Sequence, residues 1–128
     1  MSSLPSQTSI IQVSYLIPIT EDRFLGTGKK HPDLRWQLHK EKLYSDFGGY
    51  TVSPGLYRGA YTDPDVKEEV TDDSFEFRVA VPINEIGNLR KFLKEFVGPL
   101  FRQKMIYTVV KGEVEFIESN RDMIKIMP

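Results

Sequence analysis

The chain has 128 residues, 40% of them hydrophobic, which suits one packed domain. Seventeen basic side chains face eighteen acidic ones, so no positive field gathers nucleic acid or anionic lipid. Cysteine is absent, which excludes disulfides, thiolate nucleophiles and Cys-held zinc or iron–sulfur centres.

Residues 1–9 lack the basic and apolar regions of a secretory signal and read as a flexible lead-in, so a cytoplasmic location is expected. No run approaches the roughly 20 apolar residues that span a bilayer, and no membrane partner is expected. A single domain is expected over 10–118. In its first strand Ile11, Val13, Tyr15, Ile17 and Ile19 share one face while Gln12 and Ser14 point the other way. A Gly- and Lys-bearing connection follows, and Pro32-Asp33 then starts a helix, with fixed φ and a negative charge in its first turn. Trp36, Leu43 and Phe47 fall on one stripe with His39 at its margin, and Gly48-Gly49 ends the helix.

Tyr50 to Tyr61 is rich in strand formers but broken by Pro54-Gly55 and Gly59, the pattern of an irregular edge strand. Asp63 to Ser74 carries six acidic residues and one lysine and reads as a solvated hairpin tip. Phe75, Phe77, Val79, Val81 and Ile83 then alternate without a miss, leaving Glu76, Arg78 and Ala80 on the opposite face. Asn84 is placed to cap a second helix, in which Ile86, Leu89, Leu93, Phe96, Val97 and Leu100 fill one arc until Gly98-Pro99 ends or kinks it. Met105 to Val110 is the next strand. Residues 113–118 form its hairpin partner or a bulged continuation, and 119–128 a tail or a further edge strand.

The order β-α-β-β-α-β is that of an α+β, ferredoxin-like sandwich: an antiparallel sheet with two helices on one face and the other face open. Phe47-Gly48-Gly49-Tyr50-Thr51, together with Arg102-Gln103 before the last core strand, resembles a set of small prokaryotic and phage proteins that share this turn and step. The resemblance spans residues 10–110. It implies a bacterial, cytosolic, ferredoxin-like domain and carries no activity with it.

Gly26-Thr27-Gly28-Lys29-Lys30 lies between a strand and a helix, where backbone N–H groups can cradle phosphate, although it fits neither the Walker nor the dinucleotide pattern. Gly26, Gly28, Lys29 and Lys30, with Arg78, are the candidate ligand-binding residues. The two histidines stand eight apart, not at the spacing of a helical zinc pair, so no metal is expected; His31 reads as exposed and His39 as partly packed. In the acidic segment Lys67 and Glu68 occupy positions where a calcium loop needs an oxygen ligand and glycine. The Phe75 strand lacks the RNA-recognition pattern.

Glu76 and Arg78 remain, projecting from the open face beside Gln12 and Ser14, with Thr108 nearby. They read as a surface ion pair or as groups enclosed where two such faces meet. The main expectation is a non-catalytic homo-oligomeric binding or regulatory module, without cofactor, for a small anionic ligand or a protein partner. The alternative is a small enzyme of the dimeric α/β-barrel kind with its site on the open face, where Glu76, Arg78 or His39 transfers protons.

Overall fold

In a computed structural model, which describes residues 9–128, the two most regular strands of the chain lie side by side. Strand β1 (Ile10–Pro18) pairs antiparallel with β4 (Glu69–Pro82), Tyr15 opposite Phe77 and Ser14 opposite Arg78. On its other side β1 pairs with β5 (Met105–Val110), which closes a hairpin with β6 (Glu113–Glu118). The hairpin turn is Lys111-Gly112, both residues at positive φ. Residues 113–118 are therefore the hairpin partner rather than a bulged continuation.

The outer edge of β4 carries two short strands, β2 (Thr51–Val52) and β3 (Tyr57–Thr62). Together they make the interrupted edge strand that Pro54-Gly55 foreshadows. Path and pairing give the order β2-β4-β1-β5-β6, with β3 beside β4, so the fold is α+β and ferredoxin-like with one added strand. Of the lead-in expected over 1–9, residues 1–8 lie outside the described residues; the Ser9 carbonyl accepts from Ile83 N.

Helix α1 (Asp33–Phe47) follows Pro32 and ends at Gly48, whose φ of 83° lets its N–H return to the Tyr44 carbonyl. The second helical stretch begins as a 3₁₀ turn (Ile83–Glu85), not at an Asn84 cap, because Pro82 ends the strand directly before it. It continues as α2 (Ile86–Phe92), a π-helical turn (Leu93–Val97) and α3 (Gly98–Leu100). The π turn accommodates the Gly98-Pro99 step: proline offers no N–H to an α-helical ladder, and the stretch runs on to Leu100 rather than stopping at glycine.

Both helices cover the face presenting Val13, Tyr15, Ile17, Phe77, Val79 and Val81, which are sealed from solvent with Leu43, Leu89 and Leu93. Thr108 belongs to this side as well, buried between Ile106 and Val110 and opposite Tyr15, and not to the open face. Trp36, Phe77 and Phe101 form the aromatic centre of the layer. No helix among the described residues is long and apolar enough to cross a membrane.

Two segments depart from their expected roles. The Asp63–Ser74 segment is not a solvated tip throughout, since Glu69–Ser74 pairs with β3 along its full length. Asp63 at the turn is itself buried: its Oδ1 accepts from Asp65 N, Val66 N and the Lys104 ammonium. The C-terminal segment adds no strand. It makes a 3₁₀ turn (Arg121–Ile126), and Arg35 and Arg102 both donate to the Pro128 carbonyl.

Candidate functional site

The open face is assembled from alternate residues of every long strand. Leu16 and Glu76 are opposite one another, as are Tyr107 and Phe116, and Gly59 and Asp72. The β3–β4 ribbon projects past the end of β1 and leaves a cleft of two adjoining hollows. The larger, about 250 Å³, is walled by Leu16, Pro18, Gly59–Tyr61, Met105, Tyr107 and Phe116, with Asp72, Ser74 and Gln103 at one end. The smaller, about 180 Å³, continues toward the segment after β1 and is lined by Thr20, Glu21, Asp22, Arg23, Gly28 and Thr71. Pro18, Tyr61, Asp72 and Gln103 border both hollows.

The larger hollow is mostly ring and aliphatic surface. Tyr107 and Phe116 meet edge to face with centroids 5.6 Å apart, a geometry that holds each ring in place. Phe116 is nevertheless 58% exposed, so one side of this wall is free.

The smaller hollow collects carboxylates of unequal freedom. Glu21 is spent: Arg35 donates to its Oε2 at 2.6 Å, while Thr27 N and Oγ1 donate to its Oε1. Although burial opposes it, these donors bring the Glu21 pKa down to about 2. Asp22 accepts from Phe24 N at 2.7 Å and, at 3.4 Å, from the Tyr61 hydroxyl. Asp72 receives only a 3.4 Å hydrogen bond from Ser74 Oγ and forms no ion pair among the described residues. Burial raises its pKa, Asp73 and Asp22 adding to the rise by repulsion. A half-buried carboxylate in that position attracts a cation or accepts a proton.

The candidates named from sequence are spread over three places. Glu76 and Arg78 do lie on the open face, joined by a 2.8 Å ion pair along β4, beside the cleft but not in its wall. His39 is on the opposite side of the sheet, fully buried among Phe77, Phe92 and Phe101, with Nε2 2.8 Å from the Tyr15 hydroxyl. It reaches no ligand. His31 is buried rather than exposed, its Nε2 against the Pro18 carbonyl and its Nδ1 near Arg35.

Lys29 and Lys30 are exposed, and Gly28 borders the smaller hollow. The place where Gly26 and Thr27 would hold a phosphate is taken by the Glu21 carboxylate, against which a Cβ on Gly26 would collide. Asp72, Gln103, Tyr107 and Phe116 escaped the sequence reading. Asp72 looked like one more solvated acid, and the others stand far from it along the chain.

No protein-family model and no curated protein matches the chain. Two solved structures do. One is a phage SAM lyase in complex with S-methyl-5'-thioadenosine, 13% identical, with TM-score 0.60, covering 91% of this chain and 97% of that one. The other is a phage SAM lyase in the apo state, 12% identical, TM-score 0.57, covering 92% and 98%.

The likeness establishes the fold, and at that level it agrees with the resemblance to phage proteins drawn from Phe47–Thr51. It also overturns the expectation of a non-catalytic module, because the solved chains that share this architecture are those of an enzyme. The enzyme alternative, with its site on the open face, is the better supported of the two expectations.

Proposed function

We propose that the protein is a small lyase that binds a sulfonium nucleoside of the S-adenosylmethionine (SAM) type in the open-face cleft and cleaves a carbon–sulfur bond. The observation that carries this reading is the make-up of the cleft. A hollow walled by Tyr107, Phe116, Leu16 and Met105 meets a carboxylate, Asp72, with no ion pair among the described residues. Ring faces and an unneutralised acid are what an apolar nucleoside carrying positive charge requires. The fold shared with a SAM lyase that holds a thioadenosine supports the choice of ligand class.

When a sulfonium C–S bond breaks, its electron pair goes to sulfur and the thioether departs neutral, so the leaving group takes no proton. In a lyase the carbon left behind completes its valence within the substrate, by a double bond or a ring. Forming the double bond releases one proton. Asp72, its pKa raised by burial, is placed to receive it. The apolar hollow favours the uncharged thioether over the cation, which lowers the cost of the step.

The reading includes a homo-oligomer. Phe116, Val114 and Tyr57 are 58%, 50% and 48% exposed on the open face, an apolar area that a second subunit would cover. Sedimentation equilibrium showing only monomer would remove this part.

The central test is incubation of the purified protein with SAM and chromatography of the products. Accumulation of S-methyl-5'-thioadenosine is expected, reduced about tenfold or more in Phe116→Ala, which deletes an exposed ring with little cost to the core. Unchanged SAM would refute the proposal.

A further inference from the structure

The smaller hollow has chemistry of its own. Gln103 is 3% exposed, and its Nε2 donates to two carbonyls, Thr20 O at 2.8 Å and Phe101 O at 2.7 Å. Only an NH₂ group can face two acceptors, so the amide is held in one orientation. Its Oε1 makes no hydrogen bond among the described residues and is not sealed inside the protein, and Gln103 borders both hollows. An acceptor fixed by the fold and without a donor among the described residues therefore belongs to a residue that borders both hollows, as does Asp72, whose carboxylate also lacks a strong donor.

The same hollow is also lined by a cation whose contacts are long and exposed. Arg23 is about half exposed, and its guanidinium is held by two long contacts, to Glu68 Oε2 and to the Glu69 carbonyl, both 3.3 Å, while resting over the Phe24 ring. An exposed pair at that distance contributes little and exchanges readily. The other carboxylates of the hollow are occupied, Glu21 by Arg35 and Thr27, and Asp22 by Phe24 N and Tyr61. The hollow is thus lined by an acid and an acceptor that lack strong partners among the described residues, and by a guanidinium held only through long, exposed contacts.

We propose that this hollow is a subsite for the zwitterionic amino-acid end of the ligand, Asp72 and the Gln103 Oε1 receiving its ammonium and Arg23 its carboxylate. The inference rests on the SAM-type reading above, in which the larger hollow takes the nucleoside. It makes Asp72 and Arg23 specificity determinants. A nucleoside thioether without the amino-acid arm fills only the larger hollow and forgoes the charged contacts.

Calorimetric titration with two uncleaved probes tests this. S-adenosylhomocysteine carries the arm on a neutral sulfur, and S-methyl-5'-thioadenosine lacks it. Wild-type protein is expected to bind the former at least about tenfold more tightly, the scale of one charge-assisted hydrogen bond. Asp72→Asn and Arg23→Gln should each narrow that gap, and Arg23→Gln, at a position that lines only the smaller hollow, should leave affinity for S-methyl-5'-thioadenosine within about twofold.

Equal affinity of wild-type protein for the two probes would overturn the subsite, and that comparison needs no variant to fold. A gap that survives both substitutions would overturn it as well. Failure to bind either probe, or SAM itself, is a different result and refutes the SAM-type reading on which the subsite rests.

Discussion

The Tyr15 hydroxyl and His39 Nε2 lie 2.8 Å apart where the sheet meets α1, and both residues are closed to solvent. The other imidazole nitrogen, Nδ1, has no partner among the described residues. A second proton on this ring would therefore sit buried and unpaired, and burial, with Lys40 adding repulsion, lowers the His39 pKa to about 3. His31 is lowered to about 4, by burial first and then by Arg35, against the Pro18 carbonyl, which favours the charged form.

A pH dependence of stability results. Above about pH 6.5 both rings are neutral whether the chain is folded or unfolded, so unfolding exchanges no protons there. As the pH falls below that value the unfolded chain protonates and the folded one does not, and stability declines toward the folded pKa values near 4 and 3. Tm should therefore drop between about pH 6.5 and 5, with a shallower drop in His39→Leu, even though that variant starts lower because the Tyr15 hydroxyl loses its partner. A flat wild-type profile over this window would contradict neutral, buried rings.

Asp63 and Lys104 are 0% and 5% exposed at their side chains and 3.1 Å apart, joining the turn after β3 to the start of β5. Asp63 also closes its own turn through Asp65 N and Val66 N. Replacing Lys104 strands the buried Asp63 without a counter-charge, whereas replacing Asp63 leaves Lys104 its 2.7 Å contact with Asp65, so Lys104→Met should cost about 2 kcal/mol in urea unfolding and Asp63→Asn clearly less. The double variant should cost clearly less than both single changes added together, because most of the Lys104→Met penalty is the abandoned Asp63 charge. Strict additivity would show that the pair does not couple.

Gly98 packs directly on Ser119. A Cβ at position 98 would lie 2.7 Å from the Ser119 Cβ and 3.3 Å from the Leu93 carbonyl, and it would also strike the Ser119 hydroxyl. Ser119 cannot retreat easily, since its N–H is bonded to the Lys104 carbonyl. Gly98→Ala should destabilise by about 3 kcal/mol, whereas Ser119→Ala should be close to neutral, because it removes a buried hydroxyl that has no partner. Thermal unfolding of the two variants decides this, and a well-tolerated Gly98→Ala would place the helix end further from β6.

Much of the frame follows from the sequence alone. Alternation from Ile11 to Ile19 and from Phe75 to Val81 sets which side chains face the helices, because a strand has a period of two and a wrong register would bury Glu76 and Arg78. Gly48 ends α1 because its positive φ suits glycine. Both are local properties, so they can be read without knowing what packs where.

The cleft was decided only by tertiary structure. Glu21, Asp63 and Asp72 are equally acidic in the sequence, yet Arg35 neutralises the first, Lys104 the second, and no cation among the described residues the third. Their partners come from other elements, and for Glu21 and Asp63 they lie 14 and 41 residues away. His39 was decided in the same way: its place at the stripe margin left both surface and core open, and the Tyr15 hydroxyl and three phenylalanine rings drew it inward. A side chain's charge is written in the chain, but whether that charge is free to act depends on the neighbours that folding brings to it.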